Sequence, residues 1–269
     1  MRALPKISII TITWNDARGL QPTIESVRRQ TYPDYEHHIV DGGSTDGAVE
    51  IAAAYASIDS RVLFTSEPDR GIFDAMNKGA RRATGEILVF VNSGDALTDP
   101  DTLQFVANEW AMEDDWRWGY GAQRLTDSEW RPVGGTIQAP FHSRKFELGL
   151  QYIPHASSYV ARDLFLSAGA FDEDFGTAAD QEVFFRLVRT HPPKVWIRFL
   201  SDFLMGGVHT TESSWSRERL WHRMRAKNGV LIANVASLDL IVSWMIAVGR
   251  GSRRALGRLG RRLLASAPR

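Results

Sequence analysis

The chain has 269 residues and no cysteine, which removes at once a disulfide scaffold, a thiolate zinc site and a cysteine nucleophile. A reducing compartment is compatible with that composition. Net charge is also missing: Lys and Arg number 32, and so do Asp and Glu, so the fold as a whole offers no basic footprint for nucleic acid. The opening Met1-Arg2-Ala3-Leu4-Pro5-Lys6 lacks the apolar core of a secretion signal and leads straight into a strand pattern, so the amino end is expected to stay in the cytoplasm. Acid is absent from the far end, where Arg250, Arg253, Arg254, Arg258, Arg261, Arg262 and Arg269 follow one another without an Asp or Glu. What is present is apolar matter: 43% of the residues are hydrophobic, enough to bury the core of one large domain or of one domain with an appendage.

Ile87-Leu88-Val89-Phe90-Val91 is the clearest buried strand, a continuous apolar run rich in β-branched residues and cut off by the turn formers Asn92-Ser93-Gly94-Asp95. Three similar units precede it. Ile7 to Trp14 ends in Asn15-Asp16, Glu36 to Val40 ends in Asp41-Gly42-Gly43-Ser44-Thr45-Asp46-Gly47, and Val62 to Ser66 ends in Glu67-Pro68-Asp69-Arg70-Gly71. Between them, helical spacing runs from about Leu20 to Gln30, from Ala48 to Ala56 and from Ile72 to Ala83. Strand and helix alternate four times, which predicts a parallel sheet with helices on its faces. Polar residues at the ends of all four strands are expected to gather along one sheet edge, where open α/β sheets bind ligands. Any one of them alone reads equally well as a cap or a turn.

The second half is less regular. A helix from Pro100 to about Glu113 precedes the aromatic Trp116 to Gly121 and then Glu129 to Val133, which read as antiparallel strands. A strand opening with His155 spans Ile153 to Val160, and another lies near Val195 to Leu200. Between these, Phe171 to Glu182 is an acidic loop entering a helix, with Asp180 at the helix's amino end. His209 lies in a further loop, Gly206 to Thr211; a lone histidine such as this or His155 is more often structural than part of a site.

Taken together, Thr13-Trp14-Asn15, Val40 to Gly47, Ser66 to Gly79, Ala83-Thr84-Gly85-Glu86 and Val91 to Asp95 resemble the family 2 glycosyltransferases with the GT-A fold. The similarity covers roughly the first two hundred residues and is greatest to the branch that builds bacterial polysaccharides and glycolipids. It implies an α/β fold with a mostly parallel central sheet flanked by helices, in a catalytic domain over residues 1–225; the change in composition beyond it marks residues 226–269 as a C-terminal helical appendage. The resemblance also implies an inverting transfer of a sugar from a nucleoside diphosphate to a hydroxyl of a glycan or glycolipid.

Carried over residue by residue, the resemblance puts Thr13 and Asn15 in the nucleotide pocket and makes Asp41 an acceptor for the base. Asp69 and Arg70 fall near ribose, phosphates or donor sugar. Asn92 to Asp95 occupies the family's metal-binding acidic motif, but with Asn92 and Gly94 where carboxylates are usual. Asp95 is then the remaining protein ligand for magnesium or manganese, the diphosphate and waters filling the other positions. Asp180 matches the catalytic base. The eroded motif motivates one alternative, a non-catalytic sugar-nucleotide binder. A nucleotidyltransferase is disfavoured because Trp14 to Gly19 is not a glycine-rich basic turn, and a nicotinamide-binding domain because Gly42 to Gly47 lacks the dinucleotide spacing.

The stretch Val230 to Val248 is apolar but broken by Asn234 and Asp239. A spanning helix needs about twenty predominantly apolar residues, and Asp239 argues against one. Two readings stand: an interfacial helix whose following arginines meet anionic headgroups, each worth about 1 kcal/mol near the surface, or an amphipathic helix packed on the catalytic domain with a solvated basic tail. The first predicts a cytoplasmic protein held peripherally at the membrane.

Overall fold

The computed structural model describes residues 2–113, 116–205 and 214–249. They divide into two compact units, one within residues 2–141 and 152–205, the other within 142–151 and 214–249.

The first unit holds the sheet. Strands β1 (Ile7–Thr13), β2 (Tyr35–Asp41), β3 (Val62–Ser66) and β4 (Ile87–Phe90) alternate with helices α1 (Ala17–Arg28), α2 (Ala48–Ile58) and α3 (Ile72–Arg82). These four strands run parallel in the order β3-β2-β1-β4. Both faces of β1 and β4 are covered: Ile7, Ile9, Ile10, Leu88, Val89 and Val91 have no exposed surface, as a parallel sheet sheltered by helices requires. Leu20 and Ile24 of α1 pack with Ala48, Ala52 and Tyr55 of α2 against Ile39, closing one layer of the core.

Beyond β4 the sheet turns mixed. The order continues β8 (Ser158–Ala161), β6 (Trp118–Thr126), β9 (Lys194–Leu204) and β5 (Asp95–Leu97), with β7 (Pro132–Thr136) on the side of β6. β8 is antiparallel to both β4 and β6, and β7 is antiparallel to β6. Helices α4 (Thr102–Met112), α6 (Arg162–Ser167) and α7 (Ala179–Thr190) complete the unit. The segment expected as one strand from Ile153 is divided: His155–Ser157 forms a 3-10 turn and only Ser158 onward joins the sheet. β5 was not anticipated at all. It is three residues long, and it is formed by the end of the Asn92 to Asp95 knot pairing with β9.

The second unit contains α5 (Ser143–Glu147), α8 (Ser214–Lys227), a 3-10 turn (Ile232–Asn234) and a helix, α9, over residues 236–249. Its core is charged. Arg225, 1% exposed, donates Nε and Nη2 to the Asp239 carboxylate at 2.8 Å each, Nη2 to Ser243 Oγ at 2.6 Å and Nη1 to the Glu147 carbonyl at 3.0 Å. His222 Nδ1 lies 2.6 Å from the same carboxylate. Burial works to raise the Asp239 pKa, but the hydrogen bonds from Arg225 and His222 outweigh it and hold the carboxyl below its ordinary range. Such a pair is costly to break, because removing either partner strands a buried charge. Among the described residues no helix is long and apolar enough to cross a membrane. The loop with His209 and the arginines from Arg250 onward lie outside the described residues.

Candidate active site

Register alone aligns the strand ends. Thr13 pairs with Asp41, and Asp41 with Ser66; beyond the last pair of β1 and β4, the Ser93 N–H donates to the Ile12 carbonyl at 3.0 Å. The residues closing β3, β2, β1 and β4 therefore stand side by side on one edge.

The loops leaving those strands are fastened to one another. Asn15, at a left-handed φ of 50°, accepts the Thr45 N–H on its Oδ1 at 2.8 Å, and the Asn15 N–H donates to Ser44 Oγ at 2.8 Å. Asp46 accepts the N–H of Ala17 at 2.8 Å and of Ala48 at 3.2 Å, bridging the amino ends of α1 and α2. Asp16 caps α1 through Gly19 N–H at 3.1 Å and takes the Ser93 hydroxyl at 2.7 Å. Both Asp16 carboxylate oxygens are thus engaged in holding the β1 and β4 loops together.

Inside this frame Asp41 is fully buried. Its Oδ2 accepts Ser66 Oγ at 2.6 Å and the N–H groups of Gly43 and Ser44 at 3.0 Å each. Burial favours the neutral acid, but the hydrogen bonds from Ser44, Ser66 and Gly43 prevail and keep the pKa below the ordinary value. The other oxygen, Oδ1, is buried with no partner, as is Thr13 Oγ1. Asp69, which accepts the Gly71 N–H at 2.8 Å, leans on the Asp41-Gly42 turn: a Cβ on Gly42 would come within 2.6 Å of Asp69 Oδ2. Any larger residue at that position would displace the carboxylate from where it lies.

In the β4 knot, Gly94 adopts a φ of +88°, and the Asp95 N–H turns back to the Asn92 carbonyl at 2.8 Å. Asn92 Oδ1 is buried without a partner. Asp95 is 7% exposed, and no cation faces its carboxylate among the described residues. Burial, opposed by the Asn92 backbone amide, pushes its pKa up to about 7. No group of three or more His, Asp or Glu that could hold a metal occurs among the described residues. The knot instead presents the Asp95 carboxylate and the unpartnered Asn92 Oδ1. That set suits a hard cation whose remaining ligands come from a bound phosphate, and does not suit an all-protein cage.

The acidic loop is fastened to α3 and the loop before it by two clamps. Asn77 of α3 donates Nδ2 to the Phe171 carbonyl at 2.9 Å and accepts the Phe171 N–H at 3.0 Å. Arg70 reaches Glu173 with Nε at 3.2 Å and Nη2 at 3.0 Å, and also meets Asp74 at 3.0 Å. Phe171 packs on Phe90 at 5.0 Å, and the His155 ring stacks on Phe90 at 5.4 Å. His155 Nε2 is buried and unpartnered, and burial lowers the ring's pKa to about 4, so it stays neutral. Asp180, the second residue of α7, is half-buried; burial pushes it up to about 6 against hydrogen bonds from Gln181. Gln181 donates its N–H to Oδ1 at 2.7 Å and Nε2 to Oδ2 at 3.0 Å. The same carboxamide is locked on Ile153, accepting its N–H at 3.1 Å and donating to its carbonyl at 2.9 Å.

Direct contacts thus join the Thr13, Asn15, Asp41 and Asp69 loops, and tie Asn92 to Asp95. Arg70 is bound to the acidic loop. Asp180 shares no hydrogen bond or ion pair with the others among the described residues; it is linked to them through Gln181, Ile153 and the His155–Phe90 stack. Sequence reasoning missed Ser66, Asn77 and Gln181 as supports. Ser66 was within reach of it, being the strand-end partner of Asp41 by register.

Residues 8–143 match the model for glycosyl transferase family 2. The chain belongs to that family. An uncharacterized glycosyltransferase of Mycobacterium tuberculosis is 38% identical over 215 residues, covering 77% of this chain and 78% of its own. A PGL/p-HBAD biosynthesis glycosyltransferase of Mycobacterium bovis is 34% identical over 181 residues, 66% of this chain and 68% of that one. Among solved structures, S. aureus TarS with UDP-GlcNAc superposes with a TM-score of 0.64 at 16% identity, over 82% of this chain and 66% of that one. The chain spans 39% of a longer TarS structure. A mannosyltransferase from Pyrobaculum calidifontis with GDP-Man and Mn2+ gives 0.59 at 18% identity, over 98% and 81%. The fold is GT-A, and this family 2 member is a nucleotide-sugar-dependent glycosyltransferase.

Proposed function

We propose that the chain is an inverting glycosyltransferase acting on a hydroxyl of a glycan or glycolipid, with Asp180 as base. The acceptor O–H bond breaks as its oxygen bonds to the anomeric carbon; the proton passes to the Asp180 carboxylate, and the bond from that carbon to the phosphate oxygen breaks, releasing the nucleoside diphosphate. A carboxylate raised to about 6 by burial is a better proton acceptor than an ordinary aspartate and is still ionised near neutral pH.

The supporting observation is the row of strand ends. Asp41 Oδ1, Thr13 Oγ1 and Asn92 Oδ1 are buried polar atoms without partners, on one sheet edge. Unpaired buried acceptors are costly; a nucleotide base offers N–H donors to Asp41 Oδ1, a diphosphate oxygen accepts from the Thr13 hydroxyl, and a cation bound with the diphosphate would meet Asn92 Oδ1. In this reading Asp41 Oδ1 accepts from the base, Thr13 and Asn15 line the nucleotide, and Asp69 lies toward the ribose. Arg70 engages the diphosphate or the sugar only by giving up part of its hold on Glu173. Asp95 and Asn92 hold a magnesium or manganese ion, which when bound offsets the charge on the departing diphosphate. The mycobacterial relative named for PGL/p-HBAD biosynthesis supports an acceptor of the glycolipid class.

Asp180→Asn tests the assignment. Turnover should fall by about 100-fold or more, while the shift in melting temperature produced by UDP, GDP or dTDP with manganese is retained. Turnover within a few-fold of wild type would remove Asp180 from the role of base.

A further inference from the structure

The second unit turns the polar side of its last helix inward and the apolar side outward. In α9, residues 236–249, Asp239 and Ser243 have no exposed surface and share one face with Ala247. Leu238, Ile241, Met245 and Val248 recur at intervals of three and four residues, with Trp244 beside them, and so form the opposite face. That face is open: Ile241 is 54%, Trp244 57% and Met245 52% exposed. Asp239 is the only charged residue of the helix, and it is spent on Arg225 and His222. Trp215 of α8, 40% exposed, borders an open apolar cavity of about 340 Å³ together with Trp244, Ala247 and Val248. An ordinary packed amphipathic helix has the reverse arrangement.

The sequence continues directly from this face into Arg250 and six further arginines with no acid. We propose that the outer face of α9 rests on an anionic lipid bilayer, its apolar side chains in the boundary between headgroups and acyl chains and the following arginines at the lipid phosphates. A bilayer surface offers an apolar layer and negative charge side by side, which matches this order of residues. A second copy pairing through this same face offers apolar surface, but its residues 240–269 contain no Asp or Glu to meet the arginines. Two indoles at the exposed rim fit the same boundary, where an apolar ring with a polar N–H is favoured. The inner side of the helix stays bound to Arg225 through Asp239 and Ser243, so it is the outer face alone that meets the bilayer, as in a helix lying at the interface.

The absence of native cysteine makes Ile241→Cys in the full chain a unique site for an environment-sensitive fluorophore. The expected result is a blue shift and co-sedimentation with phosphatidylcholine vesicles containing phosphatidylglycerol, reversed by high salt, and little of either with phosphatidylcholine alone. Ile241→Glu with Met245→Glu should lower the vesicle-bound fraction by ~10-fold or more, while the melting-temperature shift given by a nucleoside diphosphate stays unchanged, showing that the fold and the donor pocket survive. The proposal is overturned if the label stays in water with both vesicle types, or if the two vesicle types bind equally. It is overturned in favour of self-association if the label is already shielded without lipid and Ile241→Glu splits a dimer seen by analytical ultracentrifugation. None of these readouts uses turnover, so their failure and a failure of Asp180 as base are separable.

Discussion

Gln181 holds both oxygens of the Asp180 carboxylate, through its own backbone N–H at 2.7 Å and its side-chain nitrogen at 3.0 Å. Because that side chain is itself fixed on both polar groups of Ile153, the carboxylate is oriented by the backbone ahead of β8. Gln181→Leu removes the side-chain bonds and keeps the volume. A hydrogen bond to a charged group is worth about 1.5–3 kcal/mol, so kcat should fall by about 10-fold to 100-fold with KM for the donor little changed. The acid limb of the kcat profile should also move to higher pH, since a bond that favours the ionised form is lost. A KM effect alone would point to a packing role for Gln181.

As the proposed base, Asp180 has to be ionised to accept a proton, and burial places its titration near 6. The kcat profile should therefore rise with pH through about 6 and level off above 7, and the rising limb should vanish in Asp180→Asn. Steady-state rates in a buffer series of constant ionic strength check this.

The raised carboxyls act on stability in the opposite direction. Asp95 titrates near 7 in the fold and near 3.8 in an unperturbed chain. Between those values the folded state binds more protons than the unfolded one, so its contribution to stability is full below about pH 4 and is lost as pH rises through 7. Asp95→Asn should raise the melting temperature at about pH 8 and leave it nearly unchanged at about pH 4. Calorimetry without divalent cations makes the comparison.

Manganese should reverse that penalty, because a bound cation favours the ionised carboxylate. The melting temperature is expected to rise more with a nucleoside diphosphate and manganese together than with either alone. Asp95→Ala should abolish the extra increment and retain the nucleotide's own. A stabilising ligand at about 100 times its Kd contributes roughly 2.7 kcal/mol, well within what a thermal scan resolves.

Asp41→Asn keeps the size of the side chain but replaces one acceptor oxygen by a donor, in a place where Ser66, Gly43 and Ser44 already donate. Donor KM should rise by about 10-fold to 100-fold, with kcat at saturation within a few-fold of wild type. Isothermal titration with the nucleoside diphosphate gives the same comparison without turnover.

The legible half of the molecule was the parallel half. Short strand-forming runs at β1, β2, β3 and β4, each followed by turn chemistry and alternating with periodic helices, determine both the elements and the edge on which Thr13, Asn15, Asp41 and Asn92 stand. Past β4 the signal weakens for a physical reason: β5 has three residues and exists only because β9 offers it a partner, so nothing local specifies it. The same holds for the division at Ser158, where Pro154 and the stacking of His155 on Phe90 shape a turn that composition alone does not separate from a strand. Asn77 and Gln181 escaped assignment because their partners, Phe171 and Ile153, are 94 and 28 residues away. The inverted polarity of α9 was equally hidden, since periodicity shows that a helix has two faces and not which of them is covered.

The stitching of the loop after β1 to the loop after β2, Asn15 to Thr45 and Ala17 to Asp46, bears on how donor preference can change. Neither loop can gain or lose a residue without unfastening the other. Grafting residues 41–47 from a relative into this chain should therefore yield a poorly folded hybrid unless residues 13–17 travel with them, so the two segments constitute one unit of inheritance.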